Sequence, residues 1–255
     1  MQGAAPPRLH ETASGMLNAI GLQNVGVERF VAEKLPSLRA LRHGHLRQRF
    51  RTDDRRLCAG RRSAAIALRV WQDTKSIFHV PNVKKGGIVY GSDPAATYEV
   101  VKAIKQVASR PVIVKLSPNV TDIVVIARAA EDAGADALSL INTLLGMSID
   151  TETAETAAGK SGLAGFQDPR SSPSHLRMVY QVVRAVKIPV IGIGGIRTAE
   201  DALEFLIAGA QAVEIGTANF LDPAAAVKII DGLNAFCRRK GIQRLRSVVG
   251  SIMKC

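Results

Sequence analysis

The sequence predicts an α/β chain of the (β/α)8 TIM-barrel type, incomplete at its N-terminal end. Three observations predict it. The length of 255 residues suits one large domain, since α/β barrels of roughly 200 to 250 residues fold around a single core. From residue 95 onward helical patterns alternate with short β-branched apolar runs, as repeated βα units on a parallel sheet do. Two glycine-bearing strand ends then follow one another, Gly192-Ile-Gly194-Gly195-Ile196 and Gly216-Thr217. Five or more such units in a row favour a closed barrel over an open sheet.

Taken in order, Ala95 to Ala108 reads as a helix and Pro111 to Leu116 as a buried strand. Thr121 to Gly134 reads as a helix opened by a capping threonine and closed by a glycine. Asp136 to Ile141 is the next strand, His175 to Val186 a helix, and Ile188 to Ile193 a strand. Ala199 to Ala208 is a helix closed by Gly209, Ala212 to Ile215 the last strand, and Pro223 to Arg239 a final helix. Thr151 to Ser174, rich in small and polar residues, reads as a long loop. Residues 39 to 70 show neither a helical stripe nor strand alternation and are too polar to bury readily in a barrel wall. Residues 1–255 are read as one domain.

Hydrophobic residues make up 47% of the chain and charged residues 22%, which favours a globular protein over a disordered or fibrous one. No apolar run approaches the roughly 18 residues that a membrane span needs, and the N-terminus lacks the pattern of a secretory signal. The expectation is a cytoplasmic protein. Cys58, Cys237 and Cys255 are widely spaced, so neither a metal site nor a disulfide framework is expected. The net charge is +12, and ten arginines against two acids, Asp53 and Asp54, place most of it in residues 39 to 70. A basic run invites a nucleic-acid reading, but almost no aromatic residue is interleaved for base stacking.

The glycines at the two late strand ends occupy the loops after barrel strands 7 and 8. There backbone N–H groups approach a phosphate and a helix N-terminus adds a favourable dipole. The alternative is that they only make tight βα turns. Lys115 falls at the C-terminal end of its strand, with Ser117-Pro118-Asn119 following. It can hold the anionic form of a reduced flavin or serve as a structural ion-pair partner. Asn142 and Thr143 end the next strand and can hydrogen-bond a small polar ring, or cap their own turn.

These stretches resemble the class 1B dihydroorotate dehydrogenases. The resemblance is carried by Pro6-Pro-Arg-Leu9, Gly15 to Asn24, Pro81-Asn-Val-Lys84, Val112 to Asp122, Ala133 to Met147 and Ile188 to Phe220. It implies FMN as cofactor, dihydroorotate as substrate and orotate as product in pyrimidine synthesis. It also implies an electron-transfer subunit carrying FAD and an iron–sulfur cluster, and assembly as a homo-oligomer. By position, Asn18, Ala19, Ile20, Gly21, Leu22, Asn82, Asn142 and Thr143 are implied to contact substrate. Lys115, Ile141 and Gly165 are implied to contact the flavin ring, and Gly194, Gly195, Gly216 and Thr217 to cradle the FMN phosphate.

The pattern breaks in three places. Where the family carries Asn-x-Ser-Cys before Pro81, this chain has Ile77, Phe78, His79 and Val80. The cysteine that serves as base is thus replaced by Val80, which has no group able to take a proton, and no catalytic residue is assigned. His79 is a chemically competent base, but alternation on a strand turns it away from the face of Val80. The family begins some forty residues earlier, with a first strand and a ligand-binding lysine. Residues 39 to 76 keep the family's spacing while losing its character, which suggests a stretch read in a shifted frame, with Ala154 to Ser174 a second candidate. Resequencing the coding DNA checks this, and an intact frame refutes it. The reading is therefore an impaired dihydroorotate dehydrogenase, beside an inactive FMN- or phosphate-binding barrel and an arginine-rich nucleic-acid binder.

Overall fold

The computed structural model describes residues 2–13, 15–21, 23–34, 36–37, 46–50, 75–79, 91–108, 110–156, 164–167 and 172–252. Its strands are β1 (Leu9–Thr12), β2 (Gly15–Asn18), β3 (Leu46–Phe50), β4 (Lys75–His79), β5 (Val112–Lys115), β6 (Ala137–Leu140), β7 (Leu144–Gly146), β8 (Ile149–Asp150), β9 (Glu155–Thr156), β10 (Ala164–Gln167), β11 (Val190–Ile193) and β12 (Ala212–Glu214). The main helices are α1 (Pro94–Lys105), α2 (Ile123–Asp132), α3 (Ser172–Val183), α4 (Ala199–Ala208) and α5 (Ala225–Lys240).

Six strands form one sheet in the order β12-β11-β6-β5-β4-β3, and every neighbouring pair is parallel. Each of β5, β6 and β11 feeds a helix before the next strand of this sheet, as a (β/α) barrel wall requires. A smaller antiparallel sheet is ordered β1-β2-β10-β7, and its strand β7 starts four residues after β6 ends, which ties it to the C-terminal end of a barrel strand.

Alternation along the parallel strands sorts their side chains onto two faces. Val112, Val114, Leu138, Leu140 and Val190 join helix residues such as Val101, Ile104, Ile126, Val179 and Phe205 in the main core. The intervening positions Ile113, Ala137 and Ile191 form a separate cluster on the other, luminal face. Both β5 and β6 are buried at every residue, as expected of parallel strands covered on both sides.

Helix ends follow local chemistry. Asp93 caps α1 by accepting from the Ala96 N–H at 2.6 Å, with Pro94 at the first helical position. For α2 the cap is Asp122, accepting from the Val124 N–H at 2.8 Å, and not Thr121. A carboxylate one residue later satisfies the same orphan donors and also meets the helix dipole. Thr198 and Asp201 form a reciprocal capping box on α4, which ends on Gly209 at φ 114°. Side-chain latches tie these units at the N-terminal ends of the strands. Asp136 accepts from the Val112 N–H and from Lys105, both at 2.6 Å. Glu131 accepts from the N–H groups of Lys187 at 2.7 Å and Ile188 at 3.1 Å.

Two expectations are corrected here. Leu46–Phe50, within the arginine-rich stretch, is the edge strand of the parallel sheet and pairs along its length with Lys75–His79. An edge position leaves one side of the strand without a neighbouring strand, a setting in which charge is tolerated. Ala164–Gln167, expected as loop, is a central strand between β2 and β7. The rest of the arginine-rich stretch lies outside the described residues.

Gly192 lies on the helix-facing side of β11, where a Cβ would stand 2.4 Å from Cδ1 of Phe205, a ring with no exposed surface. Gly192→Ala is therefore expected to lower unfolding stability by on the order of 1–3 kcal/mol through overpacking. Urea denaturation measures this, and an unchanged midpoint would show that the ring has room to shift.

Candidate functional site

The polar chemistry of the barrel gathers at the C-terminal ends of the strands, one level above the apolar luminal cluster. Lys115 is the last residue of β5 and only 8% exposed. It lies in register with Ser139 on β6, which is fully buried. The Ser139 hydroxyl donates to Oε1 of Glu214, on β12, at 2.9 Å. Burial pushes the Lys115 amine below its ordinary pKa, while the charge of Glu214 pulls it back up. On the other side of β5, His79 holds the register position beside Lys115.

After β6 the chain runs through Ile141, Asn142 and Thr143. Ile141 is 2% exposed, and its N–H donates to the Ile193 carbonyl at 3.1 Å, so it is fastened to the strand end that leads into Gly194. The Asn142 N–H donates to the Leu116 carbonyl at 2.9 Å. Thr143 is pinned from the loop after β5, because Asn119 donates to its carbonyl through Nδ2 at 3.0 Å and accepts from the Leu145 N–H through Oδ1 at 3.0 Å.

Thr143, Asn18 and Gly165 form one cluster. Gly165 pairs with Asn18 in the small sheet, and the Asn18 amide donates to the Gly165 carbonyl at 3.4 Å. A Cβ on Gly165 would meet Oγ1 of Thr143 at 2.7 Å and Nδ2 of Asn18 at 3.3 Å, so glycine keeps the two polar side chains in place. The following residues are held by their backbone: the Ala19 N–H donates to the Arg8 carbonyl at 2.8 Å, and the Ile20 carbonyl accepts from the Ala4 N–H at 3.0 Å. Gly21 takes φ 72°. Leu22, Asn82 and Val80 lie outside the described residues.

Gly194 and Gly195 follow β11 with φ values of 116° and 73°, a conformation that favours glycine. A Cβ on Gly194 would also strike the ring of His175, with Cδ2 at 2.9 Å. Gly216 follows β12, and a Cβ there would meet nothing within 4 Å, so open space adjoins its backbone. Thr217 begins the turn of Ala218–Leu221, its carbonyl accepting from the Phe220 N–H at 3.0 Å. The residues present therefore fit a phosphorylated cofactor: two glycine-lined strand ends, one beside open space, and a buried lysine on the luminal face.

Ser139, Glu214 and His175 were not expected as site residues. The signal for Glu214 was available, since it is the one charged residue in an otherwise apolar strand, Ala212 to Ile215. Its partner was not readable, because the bond to Ser139 depends on how the sheet curves.

The parallel sheet with helices on its outer face and polar groups at the C-terminal strand ends is the fold of a (β/α)-barrel protein. The family model for dihydroorotate dehydrogenase matches residues 1–237, and the chain belongs to that family. Its members oxidise dihydroorotate in pyrimidine biosynthesis. Among similar proteins, the catalytic subunit of dihydroorotate dehydrogenase B (NAD(+)) of Geobacter sulfurreducens is 49% identical, covering 98% of this chain and 81% of its own. The same subunit of Geotalea uraniireducens is 47% identical, over 98% and 82%. A putative dihydroorotate dehydrogenase A (fumarate) of Solibacter usitatus is 47% identical over 99% and 82%. The dihydroorotate dehydrogenase of Eimeria tenella, solved in complex with ferulenol, superposes with a TM-score of 0.75 at 19% identity, over 98% of this chain and 75% of its own. Among the described residues no helix is long and apolar enough to cross a membrane.

Asn119 bridges both sides of the turn into β7, so Asn119→Ala is expected to cost on the order of 1–2 kcal/mol and to speed exchange of the Leu145 amide hydrogen about tenfold. Hydrogen–deuterium exchange resolved to this turn checks it. Unaltered protection at Leu145 would mean that strand pairing alone holds the turn.

Proposed function

We propose that the chain is the FMN-binding catalytic subunit of a class 1B dihydroorotate dehydrogenase, one barrel domain over residues 1–255, and that Val80 makes it a slow one. The observation that carries this reading is the buried Lys115 on the luminal face, at the strand ends where the substrate-side cluster of Asn18, Thr143 and Gly165 also lies. Gly194, Gly195, Gly216 and Thr217 would hold the FMN phosphate, and Lys115, Ile141 and Gly165 would line its ring. FMN, when bound, supplies the electron acceptor.

The chain's own part is to bind and orient dihydroorotate through Asn18, Ala19, Ile20, Gly21, Leu22, Asn82, Asn142 and Thr143. Amides, a hydroxyl and backbone groups suit the imide and carboxylate of such a ring. What the chain lacks is a base at position 80. The similarity to B-type catalytic subunits supports a partner subunit, which we take to carry FAD and an iron–sulfur cluster, a homo-oligomeric assembly and a cytoplasmic location. Val80 also favours a second reading, a barrel that binds FMN without turning over.

Visible absorption of the purified protein, before and after anaerobic dihydroorotate, separates the two. A flavin spectrum that bleaches slowly, and on the order of 10²- to 10⁴-fold faster after Val80→Cys, is the expected result. A bound flavin that stays oxidised in both forms leaves the binding barrel, and no flavin refutes the cofactor assignment. Equal, rapid bleaching in both forms would overturn the role given to Val80.

A further inference from the structure

We propose that Glu214 is a positioning residue for Lys115: clamped by Ser139 across the intervening strand β11, its carboxylate supplies the counter-charge that the buried lysine faces in the lumen. The role of that ammonium toward the flavin rests on the functional reading above; the placement of the counter-charge does not.

Lys115, Ser139 and Glu214 alternate with helix-facing neighbours on β5, β6 and β12, so all three side chains enter the same lumen. Lys115 and Ser139 are in register, and both are buried. The Ser139 hydroxyl donates to Glu214 Oε1 at 2.9 Å, which removes rotamer freedom from a glutamate that could otherwise swing out of the lumen. A buried ammonium without a counter-charge is strongly disfavoured and tends to lose its proton.

Glu214 is the group that opposes this loss. On β4, His79 holds the register position beside Lys115. His175 stands behind Gly194 on α3, and the Lys105–Asp136 pair closes the opposite end of the strands. The helices α1 and α2 meet β5 through its other face, at Val112 and Val114. Glu214 is thus the one acid among the described residues of this level, and it sits two residues before Gly216, so one short segment carries both the lysine's counter-charge and a strand-end glycine.

The test is the titration of Lys115 in the full-length protein, followed by NMR of lysine labelled with ¹³C at Cε, with the signal assigned through Lys115→Arg. Glu214→Gln keeps the shape and the bond to Ser139 while removing the charge. Removing an opposite charge lowers a lysine's pKa, so the midpoint is expected to fall by on the order of one pH unit. Ser139→Ala, which only unclamps the carboxylate, should lower it by less. An unmoved or raised midpoint in Glu214→Gln overturns the proposal. If that variant does not fold, an unmoved midpoint in Ser139→Ala does so instead. A lowered midpoint in protein without a flavin spectrum would uphold the proposal and remove the functional reading. A flavin that bleaches beside an unmoved midpoint would do the reverse.

Discussion

The hydrogen bond between Ser139 and Glu214 joins two strands that are not neighbours. Residues 75 apart in sequence meet at 2.9 Å although β11 lies between their strands. Two strand spacings in a flat sheet amount to roughly 9.6 Å, and a serine side chain has almost no reach. The contact is made because the sheet curls, so that side chains on its concave face converge. Curvature is what turns three separate strand positions into one polar group around Lys115.

The same curvature divides the labour between the two faces. On the convex side the strands present valine, leucine and, at Gly192, nothing at all, so that the ring of Phe205 can approach the backbone closely. On the concave side apolar residues fill the lower level and polar ones the upper. The carboxylates of Asp136 and Glu131 work at the lower end, where they stitch strand starts to the preceding helix ends. Stability thus concentrates at one end of the strands and polar chemistry at the other, the arrangement that lets barrel loops vary without loss of the fold.

How legible this was depended on the range of the interactions involved. Helix α4 could be read to its ends because Thr198, Asp201 and Gly209 are local signals that the structure uses as written. Helix α2 was read with its cap displaced by one residue, since Thr121 and Asp122 both qualify and only the bond to the Val124 N–H decides. The strand β10 was missed because Ala-Gly-Phe-Gln has little strand propensity. Its identity comes from pairing with β2 and β7, and strand preference of that kind lives in the partners more than in the segment. The site behaved in the same way. Glycines and a strand-end lysine announced themselves, whereas Ser139 looked like an ordinary strand residue until the third strand brought Glu214 to it.

That distribution bears on which positions of a chain of this family can vary independently. The polar upper level of the lumen is built from β5, β6 and β12, and each polar group there supports another: Ser139 holds Glu214, and Glu214 balances Lys115. Loss of one member would leave a buried charge or an unmet donor, so the three are physically coupled. Position 80 stands outside this set, directly after β4 in sequence. The coupled set therefore resists change as a unit, while positions outside it vary without disturbing the bond between Ser139 and Glu214.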